Sequence, residues 1–200
     1  MANNFYNKIV KNVSADSNAP SEVYAVPASK KTIVIELDVA NRSTSSQTIS
    51  VEIEDFSEKG SAVTLTNGTS VSSNTLTKAG HGLSTGDRIQ FTHVTGLSGP
   101  ALLKQYWVIN LTSATFQIAT SHANATGGTP ITVTGTQSSS NSLNSLYFVY
   151  VVRDAPIPIG GALKVIAGQK LVLDEQDKLY CTASSANSVD AIASILEDVS

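Results

Sequence analysis

One pentapeptide in the chain has the spacing of a hydrolase nucleophile. Residues 82–86, Gly-Leu-Ser-Thr-Gly, match G-x-S-x-G, in which the serine stands on a sharp turn between a strand and a helix. That chemistry also needs an acid and a histidine that arrive later in the chain. Here a polar segment precedes the motif and a predicted strand at 88–92 follows it, while His81 and Asp87 are too near in sequence to act on Ser84. The pentapeptide therefore predicts a turn.

Histidines and carboxylates are the other side chains with possible chemistry, and none has the spacing of a ligand set. His81, His93 and His122 match no zinc pattern and have no cysteine or carboxylate cluster beside them. The acidic run 174–177 lacks the glycine-bearing loop of a calcium-binding hand and predicts a solvated turn. The sequence also has no phosphate-cradling glycine loop and no dinucleotide fingerprint. We therefore predict no catalytic residue, no metal and no cofactor.

Two adjacent aromatic residues, Tyr106 and Trp107, could bind a sugar by stacking. Neighbours in a strand point to opposite faces, so we expect at most one of these rings to be in the core. We expect Trp107 to be the centre of a small core, and an outward Tyr106 could contact a glycan or a protein partner. A carbohydrate-binding role follows as an alternative function.

Composition limits the classes of partner. The chain has 200 residues, of which 41% are hydrophobic and only 14% charged, and its net charge is −3. This charge gives no electrostatic footprint for nucleic acid or an anionic membrane, and no segment is long and apolar enough to cross a bilayer. The first residues lack the apolar run of a signal peptide, so we expect the chain to stay in a cytoplasm. Cys181 is the single cysteine, so no internal disulfide can form, and its place in a strand predicts a small buried hydrophobe.

Short apolar segments separated by turn residues predict an all-β chain, an antiparallel β-sandwich or jelly-roll-like domain. In 32–40, alternation places Ile33, Ile35, Leu37 and Val39 on one face. The segment 48–55 alternates in the same way and places Glu52 and Glu54 outward, as charges that would discourage stray pairing at an edge. The strand at 147–152 is apolar on both faces, which predicts a central position.

A drop in the frequency of charged residues along the sequence indicates a second domain inserted in the first. Only four charged residues occur between positions 61 and 141, whereas the rest of the chain holds twenty-five. We therefore predict a small β-barrel at 60–141, inserted in one loop of an outer sandwich made of 1–59 and 142–200. Its strands are expected at 62–66, 75–77, 88–92, 106–111, 115–119 and 131–133. The Ser-rich segment 136–142 has the composition of a linker.

Both ends of the outer domain leave alternatives open. The polar N-terminal segment, with Phe5, Tyr6 and Ile9 as apolar anchors, is either the first strand of the sheet or an arm that orders against a neighbouring subunit. In 187–199, Val189, Ala191, Ala193 and Ile195 alternate as in a strand, whereas Ile192, Leu196 and Val199 have helical spacing. The strand is favoured, because a sandwich needs a partner strand to close its sheet.

The outer domain resembles small virion structural proteins of tailed bacteriophages, notably marine and cyanobacterial ones. The likeness lies in L-x-V-x-x-G-x-x-L-V-L-x-x-x-D-x-L from Leu163 to Leu179, a small-residue turn, and V-D-x-x-A-S-I-L-E from Val189 to Glu197. The opening MANNFYNK fits the same pattern. It is a pattern of strands and turns without a catalytic signature.

The predicted insert is similar to a small β-barrel module of phage tail proteins that is related to the first catalytic-cysteine half-domain of ubiquitin-activating enzymes. The shared features are H-G-L-x-x-G-D-x-I from His81 to Ile89, then the run from Tyr106 to Ala119. Because the insert has no cysteine, no enzymatic step carries over. These resemblances imply a non-enzymatic virion protein, acting in capsid decoration, neck or tail, with the insert projecting outward. Its expected partners are other virion proteins, further copies of itself and, in the alternative role of host adhesin, a surface glycan.

Overall fold

The chain folds almost entirely into antiparallel β-strands, which confirms the predicted all-β class. The computed structural model describes residues 4–197, and in that range sixteen strands and one short helix follow one another. In chain order they are β1 (Asn4–Val10), β2 (Ser21–Ala25), β3 (Thr32–Asn41), β4 (Gln47–Asp55), β5 (Val63–Thr64), β6 (Leu76–Thr77), β7 (Arg88–His93), β8 (Leu97–Ser98), β9 (Gln105–Thr112), β10 (Thr115–Ala119), α1 (His122–Thr126), β11 (Thr134–Gly135), β12 (Ser142–Ile157), β13 (Ala162–Ile166), β14 (Leu171–Leu173), β15 (Lys178–Ala183) and β16 (Val189–Glu197).

The described residues divide into two compact units. The outer unit consists of the residues up to Ser57 and those from Phe148 onward, and the insert is Glu58–Tyr147. This insert is wider than the predicted 60–141, because Ser142–Leu146 at the start of β12 pair with β5 and β7 of the insert.

Two antiparallel sheets enclose a single core in the outer unit. The first has the order β1-β16-β3-β13, with β14 also paired to β3, and the second has the order β2-β15-β4-β12. Buried side chains of both sheets form one cluster, which includes Val34 and Leu37 of β3, Ile49 and Val51 of β4, Leu179 of β15 and Ile195 of β16. The outer unit is therefore a β-sandwich.

β16 is a strand throughout its described length, so the preference for a strand over a helix is confirmed for Val189–Glu197. It pairs on one side with β1 and on the other with β3. Its buried residues alternate along the strand, as expected when one face of a sheet covers a core. Val199, which gave the helical spacing its last position, lies outside the described residues.

A β-bulge changes the face that β3 presents to the core. The pairing with β16 shifts between Ser194, which opposes Glu36, and Ile195, which opposes Val34, so Ile35 has no opposite residue. As a result, Val34 is fully buried together with Leu37 and Val39, while Ile33 and Ile35 are only half-buried. The prediction that Ile33 and Ile35 face the core is wrong, because strict alternation cannot reveal a bulge.

β4 lies between β15 and β12 in the second sheet, so its acidic residues are covered. Glu52 and Glu54 are buried, and the Tyr180 hydroxyl donates to Glu54 Oε2 at 3.2 Å. The predicted outward charged edge is wrong for both residues. In β12, Tyr147, Val149 and Tyr150 are exposed, so the strand at 147–152 is not covered on both faces, although its residues are apolar on both.

The insert has its own sheet and its own core. Its main sheet has the order β12-β7-β9-β10-β6, with β5 paired to β12, and β8 pairs with β11. The core cluster includes Ile89, Phe91, Val108, Phe116, Ile118 and Leu143. The main ladders form an open path, although the Thr66 N–H donates to the Thr77 carbonyl at 3.0 Å and joins the chain after β5 to β6. A closed barrel stays a prediction.

The Ser-rich segment 136–142 is not a linker. Gln137 and Asn141 are buried, and the Gln137 amide donates to the Thr66 and Thr77 carbonyls at 3.0 Å each and accepts from the Thr77 N–H at 2.7 Å. The side chain thus replaces strand pairing at this point. The composition of the segment predicts a flexible linker, but the buried amide side chains of Gln137 and Asn141 make it part of the fold.

Candidate assembly surface

The G-x-S-x-G match lies in a tight turn, as predicted. Gly82 and Gly86 have positive φ values, and the Ser84 N–H donates to Asp87 Oδ2 at 2.7 Å. No helix follows, since β7 begins at Arg88. This geometry closes a loop and does not present a nucleophile.

His81 is a structural residue of the same loop. The Leu83 N–H donates to its Nδ1 at 3.0 Å, so the proton is on Nε2, which donates to the Thr112 carbonyl at 2.9 Å. Its ring lies 5.1 Å from that of Phe116. Because both ring nitrogens are used, this histidine is not available as a general base. A half-open cavity of about 340 Å³ lies beside it, lined among others by Lys78, His81 and Ser145.

The remaining candidate ligands do not converge. Among residues 4–197 no group of three or more His, Cys, Asp or Glu side chains could hold a metal ion. Asp177, in the acidic run, accepts the Phe56 N–H at 3.0 Å and the Asp174 N–H at 2.9 Å, so it fixes a turn of the outer unit. Burial raises the pKa of this carboxyl. The described part of the chain also has no helix with the length and hydropathy needed to span a membrane.

Tyr106 and Trp107 are both buried, with 4% and 5% of their surfaces exposed. The Tyr106 ring is in the main core of the insert, with its edge toward Phe91, and its hydroxyl accepts the Ala101 N–H at 2.9 Å. Trp107, on the opposite face of β9, packs in a second cluster with Ile109, Ala119 and Ala125. The expectation that at most one ring is in a core is therefore wrong, and neither ring can form a glycan platform.

Helix α1 covers Trp107 and Ile109 on the second face of β9. Ser121 caps it by accepting the Asn124 N–H at 3.1 Å, and Ala125 is its buried residue. The signal in the sequence is a serine able to cap a helix, Ser121, followed by two helix-forming alanines, Ala123 and Ala125. Five residues are too few to show a helical period, so the sequence analysis missed the element.

The N-terminal segment is the first strand of the sheet. β1 pairs antiparallel with β16 from Asn4, opposite Glu197, to Val10, opposite Ala191. Tyr6 faces the second sheet, where its ring lies 6.4 Å from that of Tyr24. Phe5 and Ile9 point the other way and are 65% and 63% exposed. Of the two alternatives for this segment, the structure shows the strand, with two apolar side chains left in solvent.

A buried carboxylate fastens β1 to the rest of the outer unit, and the sequence analysis missed it. Glu197 Oε2 accepts the hydroxyls of Tyr24 at 2.6 Å and Tyr6 at 2.8 Å, and Oε1 accepts from Lys30 Nζ at 2.9 Å. These hydrogen bonds lower the pKa of Glu197 to about 2, with that from Tyr24 the largest cause. Burial, together with the hydrogen bond to Glu197, raises the pKa of Tyr24. Both oxygens of the carboxylate have hydrogen-bond partners, so the cluster is structural and not a reactive site. We call the cluster of Glu197, Tyr6, Tyr24 and Lys30 the clasp.

An apolar row crosses the outward face of the first sheet. Pairing sets Phe5 opposite Leu196, Leu196 opposite Ile33, and Ile33 opposite Val172, on four neighbouring strands. Ile9 and its partner Ile192 lie on the same face. Val172 and Ile192 are 59% and 47% exposed. We call these six side chains, Phe5, Ile9, Ile33, Val172, Ile192 and Leu196, the apolar face.

The apolar face has polar neighbours, several of which pair with one another. Lys164 forms ion pairs with Glu36 and Asp38, and the Ser194 hydroxyl donates to Asn7 Oδ1 at 3.2 Å. These pairs lower the pKa of Glu36 and raise that of Lys164. The surface therefore consists of hydrophobic side chains with an internally paired polar border, which suits a protein contact better than a small-molecule site.

Comparison with known proteins adds no relative: no protein family, no curated protein and no solved structure matches this chain.

Proposed function

We propose that this protein is a non-enzymatic structural component of a tailed-phage virion, a capsid decoration, neck or tail accessory protein that acts by symmetric assembly. The observation that supports assembly is the apolar face of the outer unit. The phage assignment is supported by the strand-and-turn pattern from Leu163 to Glu197 described above.

Exposure of the apolar face is unfavourable for an isolated domain. Fully burying a large aliphatic or aromatic side chain contributes roughly 1.5–3 kcal/mol, so covering several of these residues would stabilise a complex appreciably. Single exposed hydrophobic residues are common, whereas a contiguous row across the face of a sheet marks an interaction surface. Further copies of the chain and neighbouring virion proteins are the proposed partners.

The arrangement of side chains in the described residues supports a role without catalysis. His81 uses both ring nitrogens in its own loop, Ser84 lies in a tight turn, and Asp177 accepts two backbone N–H groups. The adhesin alternative depended on Tyr106, which is buried, so no specific observation favours it. A glycan array with the purified protein tests that alternative directly.

Two measurements test the proposal. Light scattering over a wide concentration range should give a discrete oligomer of defined copy number, and a monomer at every concentration would overturn symmetric self-assembly. Phage particles should be purified from the lysate of a culture infected by a phage whose genome encodes this chain. Quantitative mass spectrometry of these particles should detect the chain in a fixed ratio to the major capsid protein. Its recovery only in the particle-free supernatant would overturn the virion role.

A further inference from the structure

The outer side of β1 is a strand edge without a described partner. β1 is the first strand in the β1-β16-β3-β13 sheet, and no other strand of residues 4–197 pairs with its free side. Its seven residues contain one charge, Lys8, and no proline, and its pairing with β16 shows no bulge. Proteins usually protect edge strands by charge, proline or bulges, and β1 has little of this protection.

We propose that β1 pairs antiparallel with β1 of a second copy, about a two-fold axis that passes beside Asn7. This inference rests on the proposed self-assembly and specifies one of its contacts. The two first sheets would then join into one sheet across the axis, and the same surface of each subunit would meet itself, as a closed two-fold interface requires.

The register follows from the length of the strand and its side-chain pattern. A two-fold axis perpendicular to the sheet keeps the outward faces of both copies on one side, so residues of like parity must oppose each other. Asn7 is the middle residue of Asn4–Val10, so the axis beside it pairs the whole strand. In that register Phe5 opposes Ile9 of the partner subunit, and Ile9 opposes the partner's Phe5.

Apolar contact across strands favours this register. Aromatic and β-branched side chains directly opposite each other on one face stabilise a pair of antiparallel strands by roughly 0.2–1 kcal/mol. Two Phe–Ile pairs would form, and the apolar face of each copy would continue into that of the other. Phe5 and Ile9, which are the most exposed members of the face, are the residues that this contact covers.

Charge selects the same register. With the axis beside Asn7, Lys8 opposes Tyr6 of the partner subunit, an aromatic ring of the kind it already contacts, since Lys8 Nζ lies 5.3 Å from the centre of its own Tyr6 ring. An axis beside Lys8 would set the two ammonium groups directly opposite each other, which is destabilising. An axis beside Tyr6 would set Ile9 and Val10 opposite residues outside β1 of the partner subunit, so fewer residues of the two β1 strands would pair with each other. Seven paired residues would add roughly six to eight backbone hydrogen bonds, counted as two for each hydrogen-bonded pair.

A cysteine at position 7 tests the axis. Directly opposed Cα atoms in antiparallel strands are about 4.5–5.5 Å apart, which falls within the span of a disulfide. We therefore expect Asn7→Cys to form a disulfide-linked dimer under mild oxidation, with twice the 20.9 kDa mass of one chain. Cys181, the native cysteine, is buried, so the unmodified protein is the control for background linkage.

Cysteines at positions 5 and 9 test the register. In the proposed pairing the two copies of position 5 are about 13 Å apart along the strands, because they differ by four residues. Phe5→Cys alone and Ile9→Cys alone should therefore not cross-link, whereas an equimolar mixture of the two variants should give the mixed dimer. Self-linked Phe5→Cys, or no mixed dimer, would overturn the register.

Light scattering of charge variants separates this inference from the proposed function. Phe5→Lys should raise the dimer dissociation constant by about tenfold or more, while Val172→Lys, a similarly exposed residue of the same face on β14, should change it far less. If oligomers persist in Phe5→Lys and Asn7→Cys does not cross-link, the β1 contact is wrong and assembly uses another surface. If the unmodified protein is a monomer at all concentrations, both proposals fail.

Discussion

Glu197 is a single residue that joins three segments of the outer unit. Its carboxylate accepts hydrogen bonds from Tyr6 of β1, Tyr24 of β2 and Lys30 of the loop before β3. Charge-assisted hydrogen bonds of this kind are about twice as strong as neutral ones, and here all three have short donor–acceptor distances. The first and last described strands therefore depend on one ionised side chain.

Replacing this carboxylate should change how stability depends on pH. The pKa of Glu197 is lowered from 4.5 to about 2 in the folded protein, so its contribution is fully present above pH 4.5 and is lost as the pH falls toward 2. We expect Glu197→Gln to lower the free energy of unfolding by about 2 kcal/mol at pH 7, with a smaller difference at pH 3. Urea unfolding of both proteins at pH 7, 5, 4 and 3 measures this difference in the free energy of unfolding.

The control is Glu22→Gln, an exposed glutamate of β2. It should leave the stability difference between pH 7 and pH 3 close to that of the unmodified protein. If Glu197→Gln and the unmodified protein differ by the same amount at every pH, the carboxylate does not act through its ionised form.

The sequence could not predict this clasp. Tyr6, Tyr24 and Glu197 are up to 191 positions apart, and none of them belongs to a recognised motif. Their meeting depends on β1 and β16 pairing in the observed register. By contrast, the turns that contain Ser84 and Asp177 follow from local chemistry and could be anticipated from the sequence. The acidic run was expected to be solvated, however, and Asp177 is buried, because it accepts the N–H of the distant Phe56.

At the scale of elements, α1 is small but covers Trp107 and Ile109 on one face of β9. Ala125 is its buried residue, and it packs in one cluster with Trp107, Ile109 and Ala119. The guanidinium of Arg88 lies 4.8 Å from the Trp107 ring centre. This cover is what converts an adjacent aromatic pair, Tyr106 and Trp107, into two separate core residues.

A charge placed on the buried side of α1 should uncover Trp107. We expect Ala125→Glu to destabilise the insert by about 3 kcal/mol, since the carboxylate would be buried without a partner. Trp107 is the single tryptophan, so its fluorescence reports on the insert, and its emission should shift to longer wavelength. Ala123→Glu, the same change at an exposed position of the helix, should leave the emission unchanged. Equal shifts in both variants would contradict the packing of α1 on β9.

Gln137 should stabilise the insert more than any serine near it. Gln137→Ala removes the partners of the Thr77 N–H and the Thr66 carbonyl, and an unmade buried hydrogen bond costs about 1–3 kcal/mol. We expect a loss of about 2 kcal/mol in thermal or urea unfolding followed by Trp107 fluorescence. Ser139→Ala, in the same segment but exposed, is the matched control. Equal stability of the two variants would mean that the segment is a tether after all.

Strand positions were easier to predict than strand neighbours. Alternation places β3, β4, β10 and β16 close to their observed bounds, because one covered face imposes a period of two. It does not reveal the bulge at Ile35 or the burial of Glu52 and Glu54, since both depend on which strands lie alongside. The strand expected at 131–133 is absent, and its residues form a coil before β11.

At the scale of the molecule, the insert can be treated as a removable unit. β4 ends two residues before Ser57, the last residue of the first outer segment, and β4 and β12 are neighbours in the second sheet. The Asp154 N–H donates to Ser50 Oγ at 3.0 Å, which ties these two strands together within the outer unit. Loops whose ends are held by neighbouring strands tolerate large insertions and deletions.

Replacing Glu58–Tyr147 with a short Gly-Ser linker should leave a folded outer unit. We expect a β-type circular dichroism spectrum and a single cooperative unfolding transition, because the core around Leu37, Val51 and Leu179 lies wholly in the outer segments. The unmodified protein is the reference. A shortened chain that shows no cooperative transition would mean that the outer sandwich needs the insert in order to fold.

The pairing of β1 with β16 also has a consequence for protein synthesis. β1 leaves the ribosome some 180 residues before its partner strand β16 and the clasp at Glu197 are made. At typical rates of about 5–20 residues per second, β1 waits about 10–40 s with Phe5 and Ile9 uncovered. The insert contains all of its own core and can fold during that interval. A slow-growing or stalled chain would therefore present an unpaired apolar strand to chaperones, and the outer sandwich would be completed after the insert.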